Sequence, residues 1–242
     1  SGVAPGEAVT LAHSVAGLAR LRLRGLMAIP EPTPDVAVQR ARFRAVRELY
    51  AYRAQKPWQA PTSEVYLVLR AGCVLPVEEH TKLVRQYLAA ADQEKRAQRD
   101  NARVVLTGAF CEQPPLGLIK SIEMAGCYVV DDDFQLVQSY LLEDVSAAGD
   151  PLEALSRAFL HHSAQTSSKY DEKKEDKGKY LLHQVKTRGA EGVVFAAPSF
   201  CDPALLERPM LQDVLSKHGI PHTAFKYAEN TGQMAPIREQ AG

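Results

Sequence analysis

Hydrophobic and polar positions follow two periods along this chain, and the change of period marks its organisation. From residue 101 onward, short β-branched runs are separated by stretches with apolar residues at helical spacing. Four such runs predict four strands, which contain Val104, Val129, Val194 and Ala224. Strands that alternate with helices form a parallel sheet with right-handed crossovers. The pattern therefore predicts an α/β fold, a four-stranded parallel sheet with flanking helices.

Helices are predicted between and beside these strands. Their predicted ranges are 115–126, 134–140, 151–163, 178–189 and 203–219.

The first hundred residues carry a more helical pattern. Helices are predicted over 6–21 and 36–55, with a strand at 22–30 between them. One strand between two helices cannot enclose a core, so this α–β–α piece needs neighbours to bury its apolar faces. Two prolines in 56–64 mark a boundary between two segments of the chain. After it, a short segment and then a long helix with increasing charge toward Asn101 are predicted.

The chain is accordingly divided into three predicted parts. They are residues 1–55 (a truncated α–β–α piece), 56–100 (a helical connecting segment) and 101–242 (the sheet lobe that carries the candidate site).

The composition argues against several classes of function. The formal charge is zero and the pI is near neutral, so nothing predicts a nucleic-acid or membrane partner. No apolar run reaches the length of a membrane span. Four scattered cysteines are too few for a secreted disulfide scaffold, which favours free thiols in a reducing compartment. A cytoplasmic location is expected.

Two of the cysteines lie just past predicted strands. Cys111 stands in "GAFCEQPP" and Cys201 in "PSFCDP". Ligands of open parallel sheets collect at the carboxyl ends of the strands, so both thiols are expected at that edge. Two thiolates there suit iron in an iron–sulfur cluster. No CxxC spacing supports a metal, so two half-buried thiols that act as small hydrophobes remain the alternative.

The other candidates have competing interpretations. Cys127, at a strand entrance, and Cys73, outside the sheet, are predicted to be structural. Asp131–Asp133 follow the second strand and either bind a cation or cap the next helix. The charged stretch His161–Tyr180 is predicted to be a solvated linker, or else to cover the site or meet a partner. No nucleotide-binding glycine motif, nucleophile elbow or HExxH is present, so the residues alone name no reaction.

A family resemblance goes further. The strings "LTGAFCEQPPLGLIKSIEMAGCYVVDDD" and "GVVFAAPSFCDPALLERPMLQDVLSKHGIPHTAFKYAEN" resemble the 2-hydroxyacyl-CoA dehydratase / benzoyl-CoA reductase family from about Lys56 to Gly242. The match is nearest to the C-terminal lobe of the C-type subunits of ATP-dependent benzoyl-CoA reductase. The resemblance implies a flavodoxin-like lobe, iron–sulfur clusters at lobe and subunit interfaces, companion subunits, an acyl-CoA substrate and an ATP-hydrolysing activator.

The resemblance also implies site residues. Cys201 in "FCDP" matches a cluster cysteine of the family, and Cys111 fits the C-type pattern, so both are the expected ligands of a [4Fe-4S] cluster. Many relatives carry a cysteine where Phe134 stands here. A cysteine motif of the family's first lobe is absent, so the cluster is expected to be shared with a missing lobe or a partner subunit. Catalytic residues stay unassigned, and the chain alone is expected to be inactive.

The N-terminal piece carries a second resemblance. Residues 1 to about 53, with "RGLMAIP" as signature, are similar to the middle of the pyridoxal-phosphate homeostasis family, whose members are alanine-racemase-like (β/α) barrels. That family's Schiff-base lysine region is absent here, so pyridoxal phosphate is not an expected cofactor. The chain is accordingly expected to be a fusion of two truncated genes or an assembly artefact.

These resemblances set the functional expectation. It is a partial reductase subunit for ATP-driven, low-potential electron transfer in the reductive dearomatisation of an aryl-CoA. The alternatives are a 2-hydroxyacyl-CoA dehydratase subunit, a non-catalytic α/β fusion remnant, and a fragment of a pyridoxal-phosphate homeostasis protein.

Overall fold

The computed structural model describes residues 36–108, 114–133, 150–161 and 178–228, together with Thr10, His13, Ser14 and Gly17. The predicted strand at 22–30 and the predicted helix at 134–140 lie outside these residues. Along the described chain the elements are α1 Val36–Gln55, α2 Thr62–Ala71, α3 Val77–Gln93, β1 Ala102–Thr107, α4 Leu116–Met124, β2 Cys127–Asp132, α5 Pro151–His161, α6 Lys179–Arg188, β3 Gly192–Pro198, α7 Asp202–Lys217 and β4 His222–Tyr227.

The described strands form one parallel sheet in the order β2-β1-β3-β4. This confirms the predicted fold class and the four predicted strands. The chain crosses from β2 past β1 to β3, so the strand order reverses between β1 and β3. In flavodoxin-like sheets with this order, that reversal is the switch point at which ligands bind.

The sheet is buried by helices on both of its faces. Val104 and Leu106 of β1 pack in a cluster with Leu118 and Ile122 of α4. The intervening Val105 packs in a different cluster, with Leu181 of α6 and with Leu211 and Leu215 of α7. Successive side chains of a strand point to opposite faces, which explains the division. All seven residues of β3 are buried, as expected for a central parallel strand.

Helix α1 packs with α2 and α3 and also against strand β2, at the edge of the sheet. Their shared cluster of buried residues consists of Ala45, Leu49, Tyr50, Ala60, Val65, Leu69 and Val84. The described part of the predicted N-terminal piece thus has the neighbours that its apolar face requires. The three predicted domain boundaries stay predictions.

The segment before the sheet differs from its prediction in one respect. Helix α3 ends at Gln93 rather than continuing toward Asn101. After Ala91 no apolar side chain stands at helical spacing, so nothing there favours burying a further turn. Instead, the guanidinium of Arg96 donates to the carboxylate of Glu64 on α2, at 2.8 and 3.1 Å. Among the described helices, none is long and apolar enough to cross a membrane.

Candidate functional site

The candidate site lies at the carboxyl edge of the sheet, between β1 and β3. These strands are hydrogen-bonded neighbours, and Thr107, the last residue of β1, pairs with Phe195 of β3. The polypeptide leaves both strands at this edge, into Gly108 on one side and Ser199 on the other. It is the switch point of the strand order, where a concave binding region is expected.

Cys201 lies at this edge, as predicted. It is fully buried and occupies the N-cap position of α7, three residues beyond the end of β3. Its backbone amide donates to the carbonyl of Pro198 at 3.0 Å, and its carbonyl accepts from the amide of Leu205 at 3.0 Å. The loop is also tied to β4, because the Ser199 amide donates to the Tyr227 carbonyl at 2.8 Å. The backbone that carries this thiol is therefore fixed on both sides.

Cys111 lies outside the described residues, but the start of its segment is described. Gly108 has a φ of +113°, and a Cβ there would lie 2.8 Å from the carbonyl oxygen of Ala196 on β3. Only glycine fits this close approach without strain. Cys111 follows by three residues, and three residues span at most about 11 Å. Gly108 thus lies against the strand that leads to Cys201.

The first two of the three consecutive aspartates at the end of β2 are held by arginines. Asp132 accepts from Nη1 of Arg53 at 2.6 Å and from the hydroxyl of Tyr50 at 2.7 Å. Both side chains of the Arg53–Asp132 ion pair are fully buried. The guanidinium of Arg53 also lies 4.6 Å from the centre of the Tyr50 ring. Asp131 accepts from Nε of Arg188 at 2.8 Å, yet burial still raises the pKa of the Asp131 carboxyl.

Asp133 has a different set of partners. Its carboxylate accepts from the hydroxyl of Thr107 at 2.9 Å and from the amide of Gly108 at 2.6 Å. Burial, reinforced by the carboxylates of Glu207 and Asp133, raises the pKa of Tyr180, whose hydroxyl hydrogen-bonds to Thr107. A partly buried polar network therefore joins the ends of β1 and β2 to helix α6.

These contacts bear on one of the two alternatives considered for Asp131–Asp133, the cation site, while helix capping stays a prediction. Within the described ranges, no group of three or more His, Cys, Asp or Glu side chains could hold a metal ion. The helix that the aspartates were expected to cap falls in 134–140, outside those ranges. In the structure these carboxylates accept hydrogen bonds from arginines, hydroxyls and a backbone amide. A buried carboxylate is stable only with such partners.

One of the two cysteines predicted to be structural, Cys127, lies at the amino edge of the sheet. Cys127 is the first residue of β2 and packs in the apolar cluster that includes Leu118 and Ile119 of α4. Burial raises the pKa of its thiol. Cys73 is exposed in the turn after α2, outside the sheet. Apart from His161, the last residue of α5, and 178–180, the charged stretch His161–Tyr180 lies outside the described residues.

The arginine and tyrosine partners of the aspartates were not among the predicted site residues. Arg53 and Tyr50 precede Asp132 by 79 and 82 residues, so no local motif joins them. One weak signal is their spacing: three residues apart on a helix they lie on one face. That face also carries buried Leu49, which made a plain core face the simpler interpretation.

The comparisons with known proteins agree with this architecture. The model of a family described as 2-hydroxyglutaryl-CoA dehydratase, D-component, matches residues 36–241. The C-type subunit of benzoyl-CoA reductase from Thauera aromatica is 59% identical over 208 residues, 86% of this chain and 54% of that protein. (R)-2-hydroxyglutaryl-CoA dehydratase subunit beta of Acidaminococcus fermentans is 28% identical over 184 residues, 74% of this chain and 47% of that protein.

A shorter match covers the N-terminal part. The pyridoxal phosphate homeostasis protein of Pseudomonas aeruginosa is 57% identical over 49 residues, 20% of this chain and 21% of that protein. Both predicted resemblances are confirmed, with the larger one beginning at Val36 rather than near Lys56. The chain spans about half the length of the reductase and dehydratase subunits that it matches.

Proposed function

Since the chain belongs to the family of the 2-hydroxyglutaryl-CoA dehydratase D-component, we propose that it is part of an iron–sulfur subunit of a benzoyl-CoA reductase. The observation that carries this choice within the family is the degree of identity. It is 59% to the reductase subunit but 24–28% to the dehydratase subunits. The proposed activity is ATP-driven, low-potential electron transfer for reductive dearomatisation of an aryl-CoA.

The proposed ligands are the thiolates of Cys201 and Cys111, bound to a [4Fe-4S] cluster. A bound cluster of this kind carries single electrons at potentials that depend on burial and on hydrogen bonds to sulfur. Cys201, the proposed ligand that lies within the described residues, suits this role because it is a buried thiol on a loop that is fixed by hydrogen bonds to the Pro198 and Tyr227 carbonyls. Support for Cys111 comes from its short distance along the chain to Gly108, beside β3.

The burial of Cys201 and the charges of residues at the same edge of the sheet bear on the proposed site. Burial of Cys201 excludes water from its sulfur, which stabilises a thiolate–iron bond against hydrolysis. The carboxylates of Asp131 and Asp132, at the same edge of the sheet, are paired with Arg188 and Arg53. These contacts engage the carboxylates with cationic side chains, which argues against an oxygen-ligated cation site at Asp131 and Asp132.

Two thiolates are fewer than the four ligands usual for such clusters. We therefore propose that a further lobe or a partner subunit supplies the remainder, and that the chain alone does not turn over substrate. The same reasoning makes companion subunits, an ATP-hydrolysing activator and an acyl-CoA the proposed partners. A reducing cytoplasm is the compartment in which such thiols persist.

Two alternatives have specific support. A dehydratase subunit of the same family is favoured by the matched family model and by relatives such as the subunit from Acidaminococcus fermentans. A non-catalytic α/β remnant is favoured by the donor set at the described part of the edge, which offers Cys201 as its thiol. A pyridoxal-phosphate role has only the short N-terminal match behind it.

Anaerobic reconstitution with iron and sulfide tests the proposal. The wild-type chain and the variants Cys201→Ala and Cys111→Ala are compared by iron content and EPR spectroscopy, with Cys127→Ala as the matched buried-thiol control. We expect a cluster signal in the wild type and in Cys127→Ala, and its loss in the other two. A signal that survives in Cys201→Ala contradicts the assignment. No signal in any protein, even when the companion subunits are present to supply the remaining ligands, favours the remnant.

A second assay separates the two acyl-CoA chemistries. The reconstituted chain is combined with companion subunits, activator and ATP, and is offered benzoyl-CoA or a 2-hydroxyacyl-CoA. Ring reduction is the expected result, whereas release of water from the hydroxy substrate alone favours the dehydratase.

A further inference from the structure

We draw no further inference here: the strongest candidate, the exposed apolar surface at the start of α7 with Phe200, Leu206 and Met210, carries none because nothing in the described part of the chain shows what covers it.

Discussion

The two edges of the sheet carry the same pair of residue types in different surroundings. At the amino edge, Gly126 with φ +94° precedes the buried Cys127. At the carboxyl edge, Gly108 with φ +113° lies beside the strand that leads to the buried Cys201. A Cβ on Gly126 would meet none of the described residues within 4 Å, whereas one on Gly108 would meet the backbone of β3.

The surroundings, rather than the residue types, separate the two edges. Cys127 packs among aliphatic side chains, and burial raises the pKa of its thiol. Around Gly108 the neighbours are a carboxylate, a hydroxyl and a backbone carbonyl. A buried cysteine is therefore uninformative by itself. Its place relative to the strand direction makes it a candidate ligand.

The largest effect is expected from breaking the buried charge pair at the carboxyl edge. Arg53→Ala leaves the fully buried Asp132 carboxylate without its guanidinium. Loss of one partner of a buried pair costs about 3–5 kcal/mol, so the free energy of unfolding should fall by that amount. Urea denaturation followed by circular dichroism measures it.

The matched control removes both charges. In the double variant Arg53→Met with Asp132→Leu, apolar side chains replace the pair, and much of the stability should return. An Arg53→Ala chain as stable as the wild type would show instead that α1 contributes little to the sheet lobe. It would thereby support a domain boundary at residue 55.

The second effect compares the two glycines directly. Gly126→Ala should lower the free energy of unfolding by about 1–2 kcal/mol, the cost of a left-handed conformation with a Cβ. Gly108→Ala carries that cost plus the contact with the Ala196 carbonyl oxygen, and overpacking adds about 1–3 kcal/mol. Chemical denaturation of both variants gives the difference. Equal losses would mean that β1 and β3 separate easily at this edge.

Much of the sheet was predictable because periodicity reports local structure. The β-branched runs around Val104, Val129 and Val194 specify buried strands whatever surrounds them. The end of α3 was less predictable, since charged residues after Ala91 are compatible with either a solvated helix or an extended segment. Contacts of Arg96 with Glu64, on another helix, accompany the extended form.

The candidate site was predictable only in part. The place of Cys201 followed from the topology, because every parallel strand ends at the same edge. The partners of Asp131–Asp133 did not, since Arg53 and Arg188 come from helices far away in the sequence. Long-range pairing of charges depends on how helices dock, and hydrophobic periodicity carries no information about it.

The smallest effect concerns Cys127 and the pH dependence of stability. Burial raises the pKa of its thiol above the ordinary value of 9.0, so the unfolded chain loses this proton at a lower pH than the folded chain. The stability that this group contributes is complete below pH 9.0 and is lost as the pH rises through the folded pKa. Cys127→Ala should lose about 1 kcal/mol at neutral pH through the missing sulfur, yet decline less steeply above pH 9.0. Urea denaturation across this range measures both quantities.

Cys73→Ala, which removes an exposed thiol, is the control and should follow the wild type. If wild type and Cys127→Ala decline equally, the thiol of Cys127 ionises as easily in the folded chain as in water, and the amino edge is less apolar than its aliphatic neighbours imply.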